Sequence, residues 1–132
     1  MRFHLYQRDG RIVQWPEAPC YLACPYPVLG STDAQRTAAA AATLLANKLV
    51  SLEHRLTVAG VAYWHPVLVS GGSRRDDMGM WSALNSFLIE QAGVVIVAQL
   101  PGWEECPLVS SDIRAAHRFH KPLYRLQIEE TT

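Results

Sequence analysis

The chain of 132 residues balances twelve lysines and arginines against twelve aspartates and glutamates, and 49% of its residues are apolar. This length fits one domain with a sizeable core, the composition excludes a disordered chain, and the zero net charge leaves no electrostatic footprint for nucleic acid or an anionic membrane. No apolar run reaches the length of a membrane span, and the start, Met1 to Asp9, lacks a signal peptide's apolar stretch, so a cytoplasmic protein without nucleic-acid or membrane partners is expected.

Asp9-Gly10 is a strong two-residue turn signal between Phe3, Leu5 and Ile12, Val13, Trp15. It predicts a β-hairpin over residues 1–16, an edge addition to an α/β core spanning 20–127. The first core strand is expected at about 20–24. A loop through Pro25-Tyr26-Pro27 and Gly30-Ser31-Thr32 then leads to a helix near 33–54, which Ser31 or Thr32 can cap and whose dipole Asp33 suits. Ala38, Ala41, Ala42, Leu45, Leu49 and Leu52 recur at helical spacing on one face.

A second strand is expected from Leu56 to Tyr63, leaving through Trp64-His65-Pro66-Val67, and Ser70 to Asp77 reads as a loop. A second helix follows over 77–91 with Trp81, Leu84 and Leu88 facing inward. Val94 to Ala98 is a continuous apolar run, typical of a strand covered on both faces. The loop Leu100 to Pro107 precedes a third helix over 108–119, and a last strand covers 122–126. Hairpin plus βαβαβαβ means a mostly parallel sheet with right-handed crossovers and helices on both faces, a three-layer sandwich in a single domain.

The three cysteines are odd in number, and Cys20 and Cys24 are too far apart along a strand to bridge, so buried free thiols are expected rather than a disulfide framework or a metal site. Ligands of open parallel sheets bind beyond the carboxyl ends of the strands, which points to segments 24–32, 64–77 and 99–112. No dinucleotide fingerprint, phosphate-cradling loop or nucleophile elbow fills them. Ser70-Gly71-Gly72-Ser73, with Arg74 or Arg75, is a candidate phosphate loop through its backbone amides. Tyr26 and Trp103 sit in the expected mouth, where either can stack on a base or pack beneath a loop. Trp81 is assigned to the core, and His65, before a proline, to a hydrogen-bonded loop position.

More informative are Tyr21-Leu22-Ala23-Cys24-Pro25-Tyr26, the loop Leu100-Pro101-Gly102-Trp103, and Asp112 nine positions past the tryptophan. On these residues the chain resembles the nucleoside 2-deoxyribosyltransferase-like superfamily over about 20–127, and within it the small DUF1937-type branch. The resemblance implies a flavodoxin- or Rossmann-like sheet that cleaves or exchanges the N-glycosidic bond of a nucleoside or nucleotide. It implies Asp112 as the nucleophile at the start of the third helix and Tyr21 as its orienter. The family's acid for the departing base falls at Asn85. Three positions depart from the pattern. Asp112 is a methylene shorter than the usual glutamate, Leu108 stands where a glycine is expected, and Asn85 cannot act as an acid. Asp77, Glu104 or Glu105 could supply that carboxylate instead.

The chemistry is coherent. A sugar carbon losing its base gains oxocarbenium character, which a carboxylate can stabilise or trap, while a second acid protonates the base. A helix N-terminus would keep Asp112 ionised, and a tyrosine hydroxyl would hold it in place. Tyr26, Ser31, Ser73, Asp77, Asn85, Trp103 and Ser110 are the candidate substrate contacts, and no metal or other cofactor is called for. The competing reading is a non-catalytic module that binds a nucleotide or an NAD derivative on the same fold; NAD glycohydrolysis is a third, by analogy. Apolar side chains around Trp103, with the hairpin, are candidates for a homodimer or higher homo-oligomer interface.

Overall fold

A computed structural model describes residues 2–52, 56–70 and 78–129. In chain order the elements are β1 (Arg2–Tyr6), β2 (Ile12–Val13), β3 (Cys20–Ala23), α1 (Thr32–Leu52), β4 (Thr57–Ala59), α2 (Gly60–Ser70), α3 (Met78–Gln91), β5 (Val94–Ala98), α4 (Pro107–Arg118) and β6 (Leu123–Glu129). They form a three-layer α/β sandwich around one six-stranded sheet, ordered β2-β1-β6-β5-β3-β4. The strands β4, β3, β5 and β6 run parallel, and β1 and β2 add antiparallel beyond β6.

The hairpin is part of the sheet rather than an appendage. Gly10 takes φ 88°, as its turn requires, and the Asp9 carboxylate accepts from the Arg11 amide at 3.1 Å. All five residues of β1 pair with β6, which places Leu5 opposite Leu126, both buried. The outermost strands, β2 and β4, have only two and three residues, which leaves little edge for pairing with another chain.

Every residue of β3 and β5 is buried, as strands in the middle of a covered parallel sheet must be. The helix α1 presents Ala39, Ala42, Leu45 and Leu49 to the sheet, and Ser31 Oγ caps it by accepting from the Ala34 amide at 3.1 Å. Successive strand residues point to opposite faces, so Tyr21 and Leu22 divide β3 between two layers. Right-handed crossovers put α1 over one face and α3 with α4 over the other. Ser82 and Ser111 (Oγ to Oγ 2.7 Å) and the Arg118 guanidinium donating to Ser86 Oγ at 2.7 Å join α3 to α4.

One expectation is overturned. The second core strand stops at Ala59, and the residues from Gly60 onward, including His65 and Pro66, belong to the helix α2. Val61, Trp64, His65 and Leu68 are all buried, and their spacing is that of one helical face. The apolar segment around Val58 and Val61 reads equally as strand or helix, and Pro66 reads as a breaker. Pro in a helix interior costs about 3 kcal/mol, but burial of Trp64 and its neighbours outweighs it here.

The chain leaves β3 for β4 on one side and returns from β4 to β5 on the other. The carboxyl ends of β3 and β5 therefore border the crevice where open α/β sheets hold ligands. If the hairpin is integral, Leu5→Ala, which empties a site only 1% exposed, should lower unfolding free energy by about 2–5 kcal/mol in urea titrations. A loss well under 1 kcal/mol would show the hairpin to be dispensable to the sheet.

Candidate active site

Tyr21 leaves β3 toward the layer of α4 and donates its hydroxyl to Asp112 Oδ2 at 3.2 Å. These residues lie 91 apart in sequence, and both are buried, at 1% and 2% exposure. Asp112 is the sixth residue of α4, beyond its first turn. The expectation that a helix N-terminus keeps it ionised is therefore corrected. Burial dominates and pushes the Asp112 carboxyl from 3.8 up to about 7, against the opposing pull of the Tyr21 hydroxyl and the Asn85 amide. The Tyr21 hydroxyl is itself raised, by burial first and by Asp112 and Cys24 next, while the Gly60 amide favours its ionised form.

The polar pair is closed in by α2 and α3. Trp64 Nε1 donates to Asn85 Oδ1 at 3.2 Å, and the Trp64 ring stacks on Trp81 with centroids 5.5 Å apart. Because the indole N–H can only donate, Oδ1 must face it, which turns the Asn85 Nδ2 toward the Asp112 side. Nδ2 favours the ionised carboxylate without reaching hydrogen-bonding geometry. Gly60 closes the remaining side. A Cβ there would collide with Asn85 Oδ1 and come within 2.8 Å of Tyr21 Oη.

Tyr26 links this cluster to the crevice. Its ring stands edge-on to Trp64 at 4.6 Å, and its hydroxyl meets His65 Nδ1 at 2.8 Å. Burial first, and then Arg36, hold His65 below its ordinary value, which suits a neutral imidazole accepting from Tyr26. On its other side Tyr26 lines a cavity of about 630 Å³ at the β3–β5 crevice, walled by Pro25, Val28, Ala38, Leu100 and Pro107. Gln35, buried at 1%, shapes this wall by donating from Nε2 to the carbonyls of Pro27 and Val28 at 3.1 and 3.0 Å. Cys106 Sγ accepts from the Tyr26 amide at 3.4 Å, tying the start of α4 to the same wall.

The structure thus gathers Tyr21, Asp112 and Asn85 and sets Tyr26 beside them. Among the described residues it does not bring in the other candidates. Ser31 is exposed and caps α1, Trp103 is half-buried against the core, and Ser110 is half-buried on α4. Ser73 and Asp77, with the rest of the Gly/Ser phosphate-loop candidate beyond Ser70, lie outside the described residues. Glu104 and Glu105 are exposed, and only Glu105 borders the cavity. Neither Asp112 nor Tyr21 lines that cavity, and the buried Leu108 lies between its Pro107 rim and Asp112 in α4. Gln35, Gly60 and Trp64 were missed. Gln35 lies inside the expected helix 33–54 with nothing to single it out, Gly60 lies inside the expected strand, and Trp64 falls at its expected exit. A signal existed only for Trp64, in its helical spacing with Val61 and Leu68.

Two outcomes follow from this packing. Between pH 4 and 7 the native state holds the Asp112 proton that the unfolded chain has released, so native stability should fall as pH rises through this window. Asp112→Asn cannot ionise, so its stability relative to the native sequence should rise across the window by an amount on the order of a few kcal/mol. Urea titrations of both proteins at several pH values measure this, and a pH-independent difference would contradict a buried, raised carboxyl. Separately, Gly60→Ala should destabilise by roughly 1–3 kcal/mol through overpacking, and the Tm of the variant reads it.

Among the described residues no helix is long and apolar enough to cross a membrane, and no group of three or more histidine, cysteine, aspartate or glutamate side chains is placed to hold a metal ion. No curated protein matches the chain. No solved structure matches it either. A family model, described as a domain of unknown function (DUF1937), matches residues 18–127, which takes in the core strands, all four helices and the Tyr21–Asp112 pair. Since that match covers most of the chain, the protein belongs to the DUF1937 family.

Proposed function

We propose that this protein cleaves or exchanges the N-glycosidic bond of a nucleoside or nucleotide, with Asp112 as nucleophile and Tyr21 as its orienter. The observation that carries the reading is the buried hydrogen bond from Tyr21 Oη to Asp112 Oδ2 at 3.2 Å, beside the switch-point crevice of the sheet. A carboxylate out of water, held by one fixed donor, interacts strongly with positive charge appearing at an anomeric carbon. Attack by an Asp112 oxygen on that carbon expels the base and leaves a glycosyl ester. Water or a second base then takes the sugar and restores the carboxylate.

The nucleophile must be ionised, and its carboxyl is raised to about 7. The rate should therefore climb with pH through neutrality and level off above it. A second reading is favoured by one observation: the cavity walls are apolar and include neither Tyr21 nor Asp112. On that reading the fold binds a nucleotide or an NAD derivative in the cavity without turning it over.

Incubation with deoxynucleosides, deoxynucleotides and NAD, with free base followed by chromatography, separates the two. The enzyme reading expects base release that rises with pH, falls at least a thousandfold in Asp112→Asn, and falls about ten- to a hundredfold in Tyr21→Phe through misorientation. No release at high enzyme concentration, with saturable binding of a panel member, would instead establish the binding module.

A further inference from the structure

We propose that Trp81 and Asn85 form a donor-only corner that receives the keto oxygen of the departing base, so that the protein acts on keto-bearing bases of the uracil or hypoxanthine type in preference to their amino counterparts. The inference rests on the N-glycosidic reading of Tyr21 and Asp112. Its basis is a pair of buried donors outside hydrogen-bonding geometry, Asn85 Nδ2, which is turned toward Asp112, and Trp81 Nε1. Among the described residues, Asn85 Nδ2 and Trp81 Nε1 are buried without a hydrogen-bond partner. Their residues are 1% and 4% exposed. They stand one turn apart on the same face of α3, and both lean on Trp64, which stacks on the Trp81 ring and donates to Asn85 Oδ1.

That contact fixes the sense of the amide. With Oδ1 taken by the indole N–H, Asn85 can present only its N–H group, and Trp81 can present nothing else. Folding a chain around unpaired donors is unfavourable unless something brings an acceptor to them. The corner adjoins the Asp112 carboxyl, so the acceptor that belongs there is part of the molecule on which Asp112 acts. Tyr26 lines the cavity, and its ring stands edge-on to Trp64, which touches both residues of the corner.

The chemistry selects the base. As the bond from C1′ to the base nitrogen breaks, its electron pair stays with the base, and an Asp112 oxygen forms the new bond to C1′. No acid protonates the base in this step, since Asn85 and Trp81 offer only neutral N–H groups. A base with a keto oxygen at C4 of a pyrimidine or C6 of a purine spreads the charge onto that oxygen, where two N–H donors hold it; the C2 oxygen that uracil and cytosine share does not meet them. Water then attacks C1′, its hydroxyl remaining on the sugar and its proton neutralising the base anion, and Asp112 is released as carboxylate. An amino group in place of the keto oxygen would turn its own N–H groups toward the two donors. Sites built to hydrogen-bond a particular group reject analogues that lack it by orders of magnitude.

The test compares deoxyuridine with deoxycytidine and deoxyinosine with deoxyadenosine, pairs that differ by keto against amino. The native protein should favour the keto member in kcat/KM by at least tenfold. Trp81→Phe keeps a stacking ring but removes the N–H, and it should bring the ratio toward one; Asn85→Asp, which introduces an acid, should shift it toward the amino member. Equal rates within both pairs, or a ratio that Trp81→Phe leaves unchanged in a variant with native circular dichroism, would overturn the corner. If no nucleoside is cleaved, the N-glycosidic reading fails, and the corner is judged by titrating free uracil and cytosine against tryptophan fluorescence. Tighter binding of uracil that is lost in Trp81→Phe supports it, and equal binding or none overturns it.

Discussion

The desolvation of one carboxyl group governs the arrangement around it. Asp112 is 2% exposed and would be costly to ionise in an apolar interior, yet its carboxyl is raised only to about 7 because neighbouring donors oppose the burial. Those donors come from separate elements, Tyr21 from β3 and Asn85 from α3, so the group is well placed only when the sheet and the helices of one face are assembled together. Rotation of α4 by a single residue would swing Asp112 through about 100° and away from Tyr21. Pro107 at the first position of α4, with a preset φ and no N–H to satisfy, resists such a slip. The Cys106 thiol, bound to the Tyr26 backbone, anchors the same helix end to the first core strand's exit.

The aromatic layer carries that order outward. Trp81, Trp64, Tyr26 and His65 touch in sequence; the Tyr26 hydroxyl meets His65 Nδ1, Trp64 Nε1 donates to Asn85, and the Trp81 N–H has no hydrogen-bond partner. Rings of this size bury much apolar area in few rotamers, so the chain of contacts forms a stiff link from Asn85 to the Tyr26 wall of the crevice. The crevice wall is preformed by other means, through the two bonds from Gln35 to the Pro27 and Val28 carbonyls. The Asp112 carboxyl and the cavity are therefore separate, since Tyr26 lines the cavity and Asp112 does not. A substrate with an apolar portion in the cavity and its anomeric carbon at Asp112 would have to span that separation.

Much of the fold is legible because it depends on local rules. Asp9-Gly10 specifies a hairpin by its turn geometry, and Val94 to Ala98 specifies a strand buried on both faces. Ser31 marks the start of α1 by the reach of its hydroxyl. The segment from Leu56 to Pro66 is not legible in this way. Its short apolar run fits either period, and Pro66 signals a break that the helix α2 absorbs through the burial of Trp64 and Leu68. Asp112 and Tyr21 are candidates through the resemblance, but nothing local reveals that Asp112 lies past the first turn of its helix. Gln35 and Gly60 gave no signal, since one lies inside an expected helix and the other inside an expected strand.

The sequence by itself determined the class of architecture and the order of most elements, because turn chemistry, capping and hydrophobic period act between residues close in the chain, whereas Tyr21 and Asp112 became candidates through the resemblance alone. Tertiary structure alone decided that these two groups share a hydrogen bond across 91 positions, that burial raises the Asp112 carboxyl against the pull of Tyr21 and Asn85, and that Trp64 turns the Asn85 amide. Each of these depends on how much water is excluded and which donors face inward once separate layers close on one another, and no local pattern encodes that.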